Sequence, residues 1–474
     1  MSNTNLTTYQ KIIIEPFKLD HIQNLKITKI PNEHSILLLT GILPEDIEDS
    51  YVEEALAHKT IKVKQLTEED EEVIFSGIVG SMEINVRSNV RYIDINAISH
   101  SNKIDIELIR RSYQKLSMTY ESLMKTSVEK YDADVMDKAT NGKTIDEFII
   151  QYDETSWEFV KRMVSRFNLP LIVEDTLDEP KVYAGIPDKD DIGLLDDFTY
   201  NIKKEASAYR LATQNYKASA FESDFIYYEL FSERVFEIGN KVRFKERTLY
   251  VNEVMIEMKD GILKNVYKIT DKRGFHVNKI RNQRIVGLSL EGTEVDVAKD
   301  DVKIFLDIDK EHPPEEFCWF KYSTQYTSDN GGGFYCMPEI GEKIRLYFPN
   351  ADDEDAYSTS CVREHFETNE ERGVPDIKYW RTYAGKEIMF TPNGIKIRCL
   401  DDEIFINLIV EEGILIQSNK LINIVANEGA EINMYAEGKI VMAAEEEFDA
   451  FCNGSRINMQ GGTTKIRGNR IREN

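Results

Sequence analysis

From Pro392 to Asn474 one pattern recurs: two apolar residues separated by a polar or small one, then a turn. The pairs are Ile395/Ile397, Ile404/Ile406, Ile414/Ile416, Ile422/Ile424, Ile432/Met434, Ile440/Met442 and Ile457/Met459. Residues i and i+2 share one face of a strand, so each pair predicts a short strand with one apolar side. Successive pairs begin 9, 10, 8, 10, 8 and 17 residues apart. The last gap is close to two steps, with a less regular unit around Phe448 between them. Gly394, Gly413, Gly438 and Gly454 fall between pairs, where a turn calls for positive φ. No sustained helical spacing occurs there.

A unit of 8 to 10 residues is one strand and one turn, too little to close a hydrophobic ring, so neighbours must complete it. Closure occurs either within the chain, as a solenoid, or between identical chains that each give one strand per layer. The nonapeptide calcium solenoid has a Gly-Gly-x-Gly-x-Asp signature. Here the repeat's Gly461-Gly462 continues into Thr-Thr-Lys, which favours the second arrangement, an obligate homo-oligomeric rod.

Upstream, the pattern changes twice. Residues 10–105 read as a β-barrel-like unit: Ile12–Ile14, Ser35–Leu39, Ile61–Val63, Val73–Val79 and Tyr92–Ala97 are short β-rich runs, and Glu45–His58 predicts a closing helix. Between Asp105 and Asp197 helical spacing enters. Ser117–Val128 is one helical stretch, and Thr155–Phe167 is the clearest in the chain. Thr155 and Glu158 form a capping box ahead of a stripe of Trp157, Val160, Val164 and Phe167, with Met163 beside it. Strands return from Ile202 to Thr270, with turn signals at Gly239-Asn240 and Asp260-Gly261. Residues 280–365 carry short runs at Val302–Ile308, Phe317–Tyr322, Gly333–Met337 and Lys343–Phe348, suited to a small five-stranded closed barrel with Phe317, Trp319 and Tyr322 inside.

Composition narrows the function. The 474 residues leave room for three or four domains, and a net charge of −25 argues against nucleic-acid or anionic-membrane partners. The acidic runs Glu68–Glu72 and Asp352–Asp355 lack calcium-loop spacing and read as solvated loops. Five cysteines without a Cys-x-x-Cys pair read as small core residues in a reducing compartment. The N-terminus has no signal-peptide pattern and no run is long enough to span a membrane, so export by the general secretory route is not expected. Gly331–Gly333 has no following Lys-Ser/Thr and reads as a turn, not a phosphate loop.

Three segments together resemble the hub-and-spike proteins of contractile injection machines, the VgrG and phage late-control protein D families. The run Gln151 to Arg162, with Gln151, Glu154, Trp157 and Arg162 as its marked positions, is similar to the hub motif. Phe334 to Ile344, containing Pro338, Ile340 and Gly341, resembles the barrel motif, and the repeat after Pro392 resembles the spike. The resemblance implies a mainly β fold with some α. Residues 1–105 and 201–279 would be two tube-like hub domains, 106–200 an α/β insertion, 280–391 an OB-fold barrel with linker, and 392–474 a triple-stranded intermolecular β-helix. It further implies a homotrimer, with the seven repeat pairs as trimer core.

The same resemblance implies, as partners, an inner tube protein, baseplate proteins and transient contact with a target envelope. Assembly would be cytoplasmic, with outward delivery on contraction. The last histidine is His365, so the iron-binding His-x-His tip of some needles is missing. A PAAR-like cone protein seated on Ile466, Arg470 and Ile471 is the expectation in its place. No cofactor, metal site or catalytic residue is expected. The competing class is a β-helical polysaccharide-degrading enzyme, for which Asp401–Glu403, Glu411-Glu412 and Glu445–Glu447 offer carboxylates, all next to turns. A receptor-binding fibre would fit the rod but not the long segment before it.

Overall fold

The computed structural model describes residues 11–45, 53, 59–66, 70–194, 199–216, 220–232, 234–259, 261–328, 330, 332–359, 374–399 and 403–472. They fall into two compact units, divided between residues 364 and 365. Most of the expected Glu45–His58 helix, Gly331, Cys361 and the Asp401-Asp402 pair lie outside the described residues, as does part of the Glu68–Glu72 run.

The first unit is organised by one antiparallel path of strands. In spatial order these are Ile12–Glu15, Thr60–Leu66, Glu71–Arg87, Val90–Ser99, Ile36–Ile42, His21–Lys29, Arg247–Lys259, Ile262–Thr270, Ile226–Ser232 and Tyr200–Lys204. Alternation sorts its faces: Leu25, Ile27, Leu37, Leu39, Ile93, Ile95, Val254 and Ile256 are all buried in one core. The residues of 12–99 and 200–270 therefore share a sheet and a core, joined where Leu25–Lys29 pairs with Val254–Met258.

That joining strand, His21–Lys29, is missing from the sequence reading. A register shift between Ile22 and Asn24 inserts one residue, so the buried Ile22 and Leu25 stand three apart and the period of two is hidden.

Between the two halves lie the helices Tyr120–Val128 and Ser156–Ser165, the sheet Leu171–Glu174, Lys181–Ala184 and Asp134–Asp137, and the paired strands Ile109–Tyr113 and Ile149–Glu154. The predicted capping box is present: Thr155 Oγ1 accepts from Glu158 N at 3.1 Å, and Glu158 Oε2 accepts from Thr155 N at 3.2 Å. Trp157, Val160 and Val164 pack with Phe159 and Met163 against Leu123, Met124 and Val128. The stripe is core.

A buried ammonium pins the halves to this insertion. Lys29 Nζ donates to Asp175 Oδ1 at 2.8 Å and to the two Glu237 carboxylate oxygens at 2.9 and 3.0 Å. Burial disfavours the Lys29 charge, but Asp175 and Glu237 outweigh it and hold the ammonium protonated. Two acids on one base leave an excess negative charge. Burial pushes Glu237 up to about 7 against the pull of Lys29, and the Asp175 charge adds to the rise.

The remaining part of the first unit is a five-stranded antiparallel sheet in the order Trp319–Lys321, Asp301–Leu306, Ser289–Ala298, Lys343–Tyr347 and Tyr357–Thr359. A bridge between Tyr322 and Ser358 links its two edges and closes it into a small barrel. The strand count matches expectation, but the membership differs. Gly333–Met337 is irregular, touching Thr327 only through a single bridge, and the first and last strands of the segment were not anticipated. The interior is also shifted by one residue: Cys318 and Phe320 point inward, whereas Trp319 is 45% exposed under the Lys303 ammonium. Among the four described cysteines only Cys318 is buried, so the reading of cysteine as a core residue holds there alone.

The second unit holds two antiparallel meanders. One runs Lys378–Arg381, Glu387–Thr391, Gly394–Cys399, Ile404–Ile409 and Gly413–Ser418; the other runs Glu447–Cys452, Ser455–Gln460 and Thr463–Arg467. Asn453-Gly454 and Gly461-Gly462 make its tight turns, with both residues of each at positive φ as two-residue hairpins require. Gly394 serves a different need from the expected one: a Cβ there would lie 2.1 Å from Leu408 O on the neighbouring strand.

Replacing Lys29 by Met should destabilise the first unit by about 3–5 kcal/mol, because the buried Asp175 and the part-buried Glu237 lose their shared base; thermal melting measures it. The Glu237 pKa of about 7 lies above the ordinary value of 4.5, so its contribution is complete below that ordinary value and is lost as pH rises through about 7. Glu237→Gln removes this titration while keeping an acceptor for Lys29. Its melting temperature should therefore fall less between about pH 5 and about pH 8 than that of the unaltered chain.

Candidate functional site

Two assemblies of side chains stand out, one in each unit. In the first, Gln151 and Glu154 lie on strand Ile149–Glu154, and Trp157 and Arg162 lie on the helix that follows. Arg162 is the largest fully buried side chain among the described residues. Its Nε and Nη2 donate to the two Glu154 oxygens, both at 2.8 Å, and Nη2 also donates to Ile150 O at 2.6 Å. The remaining fork reaches the barrel segment: Nη1 donates to Asp353 Oδ2 at 2.8 Å, and Arg166 Nη2 meets the same oxygen at 2.6 Å. Arg166 also pairs with Glu147. Burial raises the Glu154 pKa, with Arg162 pulling the other way. For Arg162, burial opposes the charge and the attraction of Asp353 and Glu154 overrides it.

Asp353 corrects the reading of Asp352–Asp355 as a solvated loop. It is 2% exposed, and its neighbour Asp352 accepts from Lys279 at 2.9 Å and from Arg281 at 3.0 Å. A signal was present: Arg162 and Arg166 sit four apart on a helix with an otherwise apolar face, and a buried guanidinium demands acids. Trp157 packs on His34, with ring centroids 4.1 Å apart. The barrel-motif residues shape a turn. Glu342 N donates to Glu339 O at 3.0 Å, Gly341 takes a φ of 93°, Pro338 is half-buried and Ile340 is exposed.

In the second unit four of the seven pairs expected to form strands do so, Ile395/Ile397, Ile404/Ile406, Ile414/Ile416 and Ile457/Met459. Ile388, Ile397, Ile406 and Ile416 are direct cross-strand partners in succession, and so are Phe390, Ile395, Leu408 and Ile414. Ile404 belongs to the same face. The opposite face satisfies itself, with buried Glu387 accepting from Arg398 at 2.9 and 2.6 Å and pairing with Arg381. The apolar face does not: Ile414 is 72% and Ile416 56% exposed. In the last meander Ile457 pairs with Ile466, and Met459 with Phe448. Ile466, anticipated as a tip contact, thus lies in line with the repeat; Arg470 and Ile471 follow the last strand and are exposed.

Ile422, Ile424, Ile432, Met434, Ile440 and Met442 lie between the meanders, outside any named strand, and all are exposed. Apolar area on this scale marks an interaction surface. Glu411, Glu412, Glu445, Glu446 and Glu447 are exposed as well. Among the described residues no group of three or more His, Cys, Asp or Glu could hold a metal ion, and no helix is long and apolar enough to cross a membrane.

No family model and no curated protein matches the chain. Solved structures do. A type VI secretion component of E. coli, c3393, described as similar to the T4 phage tail proteins gp27 and gp5, superposes with a TM-score of 0.52 at 10% identity, over 74% of this chain and 100% of that one. The chain has a VgrG-like fold. A chain of the half-lidded Francisella PdpA–VgrG complex matches with a TM-score of 0.54 at 11% identity, over 86% of this chain and 87% of that one. The lidless PdpA–VgrG complex gives 0.53 at 10% identity, over 84% and 93%.

Within this VgrG-like fold, Arg162 and Asp353 clamp the five-stranded barrel segment to the helical insertion. Asp353→Ala leaves two guanidinium groups short of an acid and should cost about 3–5 kcal/mol. Asp353→Asn keeps a hydrogen-bond acceptor and should cost less. Chemical denaturation of both variants checks the order.

Proposed function

We propose that this chain is the central hub and spike of a contractile injection machine, phage tail-like or type VI-like, and that it works as a homotrimer without enzymatic activity of its own. The observation that carries the reading is the apolar face of the second unit, aligned strand by strand and left open by its own chain. Three such faces turned toward a common axis bury one another, and each fully covered Ile contributes about 1.5–3 kcal/mol. The polar edges face water, and the product is a stiff needle. Its core is the seven repeat pairs, Ile395/Ile397 through Ile457/Met459.

On this reading residues 1–105 and 201–279 are two tube-like parts of the hub, matching three chains to a sixfold inner tube. The insertion at 106–200 and an OB-type barrel at 280–391 connect them to the needle at 392–474. Baseplate proteins surround the hub, a PAAR-like cone covers the end near Ile466, Arg470 and Ile471, and contraction drives the needle outward from the cell that assembled it. Support comes from the shared fold and from the need to cover the apolar face.

Ile416→Asp places charges against one another in a dry interior and should abolish trimers in sedimentation. Gln417→Asp, on the opposite face of the same strand, should leave them intact. Trimers of equal heat resistance in both variants would refute the buried-face assignment.

A further inference from the structure

The clamp leaves one residue of the hub motif half used. Gln151 donates its amide N–H to Glu154 O at 3.2 Å, while its Oε1 is buried without a hydrogen-bond partner. The Tyr113 hydroxyl and Arg111 Nε are buried and unpartnered too. These groups are neighbours by construction. Arg111 stands directly opposite Gln151 in the pairing of Ile109–Tyr113 with Ile149–Glu154, and its guanidinium carbon lies 5.1 Å from the Tyr113 ring centroid. All three side chains line one cavity of about 400 Å³, with Lys130, Glu129 and His312 also in its wall. Tyr113 and Gln151 are 3% and 0% exposed.

A buried polar atom without a partner costs about 1–3 kcal/mol, and three on one cavity wall call for an occupant that completes them. The donor set specifies its chemistry. Arg111 Nε offers an N–H, and its charge makes no salt bridge among the described residues: an acid acting on it, Asp309, accepts from Ser112 N and Oγ instead. Tyr113 offers a hydroxyl, and Gln151 Oε1 requires a donor. Lys130 already meets Glu107 at 2.6 Å, so Arg111 is the charge left for a ligand.

We propose that this cavity binds a carboxylate flanked by an amide N–H, the chemistry shared by a free N-acylated amino acid and the carboxyl end of a peptide. The carboxylate meets Arg111 and Tyr113, and the amide N–H meets Gln151 Oε1. A bare phosphate matches the first pair and leaves Gln151 unsatisfied.

Calorimetric titration of the intact chain with N-acetylglycine should show one saturable site per chain. N-acetylglycinamide and inorganic phosphate should bind about tenfold more weakly or worse. Arg111→Gln should weaken N-acetylglycine about tenfold, and Arg111→Lys should recover part of the loss. If Arg111→Gln does not fold, the acid-against-amide comparison on the unaltered chain decides. Acetyl-triglycine binding more tightly than N-acetylglycine would identify the carboxyl end of a peptide as the occupant; equal or weaker binding would identify the free acid. No saturable binding of either acid up to about 10 mM, or equal binding of the amide, overturns the proposal.

Discussion

Ile388, Ile397, Ile406 and Ile416 stand side by side across four strands, with a second apolar row two residues away, and their own chain leaves much of both rows open to water. A sheet face of this kind is stable only when another surface covers it. The short repeat decides what that surface can be. Each strand is too narrow to curl around its own interior, and the antiparallel meander spends its main-chain hydrogen bonds within its own sheet, leaving one side-chain face to be matched. Further copies of the chain would offer identical rows at identical spacing, which a solenoid within one chain would have to supply by returning. Glu387 with its two arginines on the other face shows the asymmetry: one side is finished, the other is not.

The first unit depends on a different device. Its parts are joined by single buried cations that each hold at least one acid from a distant segment: Lys29 with Asp175 and Glu237, and Arg162 with its near neighbour Glu154 and the distant Asp353. Such clusters add little net stability over an apolar replacement, but removing one partner strands a charge, so they define which surfaces meet. What such clusters supply is fixed geometry between segments, more than stability.

How much of this was legible in the sequence follows from how local the cause was. The helix at Ser156–Ser165 was readable because its cap, Thr155 and Glu158, lies within four residues. The apolar rows were readable because strand periodicity puts Ile395 and Ile397 on one face whatever covers them. The strand His21–Lys29 was hidden by one inserted residue at its bulge, although it is the seam of the large sheet. Trp319 was misplaced because neighbouring aromatics at 317, 319 and 320 satisfy either register, and only the paired strand chooses Phe320. Asp353 was unreadable in isolation: its partners Arg162 and Arg166 are nearly two hundred positions away, and an acidic run near a turn carries no mark of burial. The open atoms of Arg111, Tyr113 and Gln151 are of the same kind, visible only once two strands are paired.

Whether copies of the same chain cover the apolar face is tested most directly by the mass of the purified protein in solution. Light scattering coupled to size exclusion should give about three times 54.8 kDa, with the hydrodynamic radius of an elongated particle. A monodisperse particle of 54.8 kDa that stays soluble at high concentration, with the Ile416 face accessible to solvent, would contradict the account.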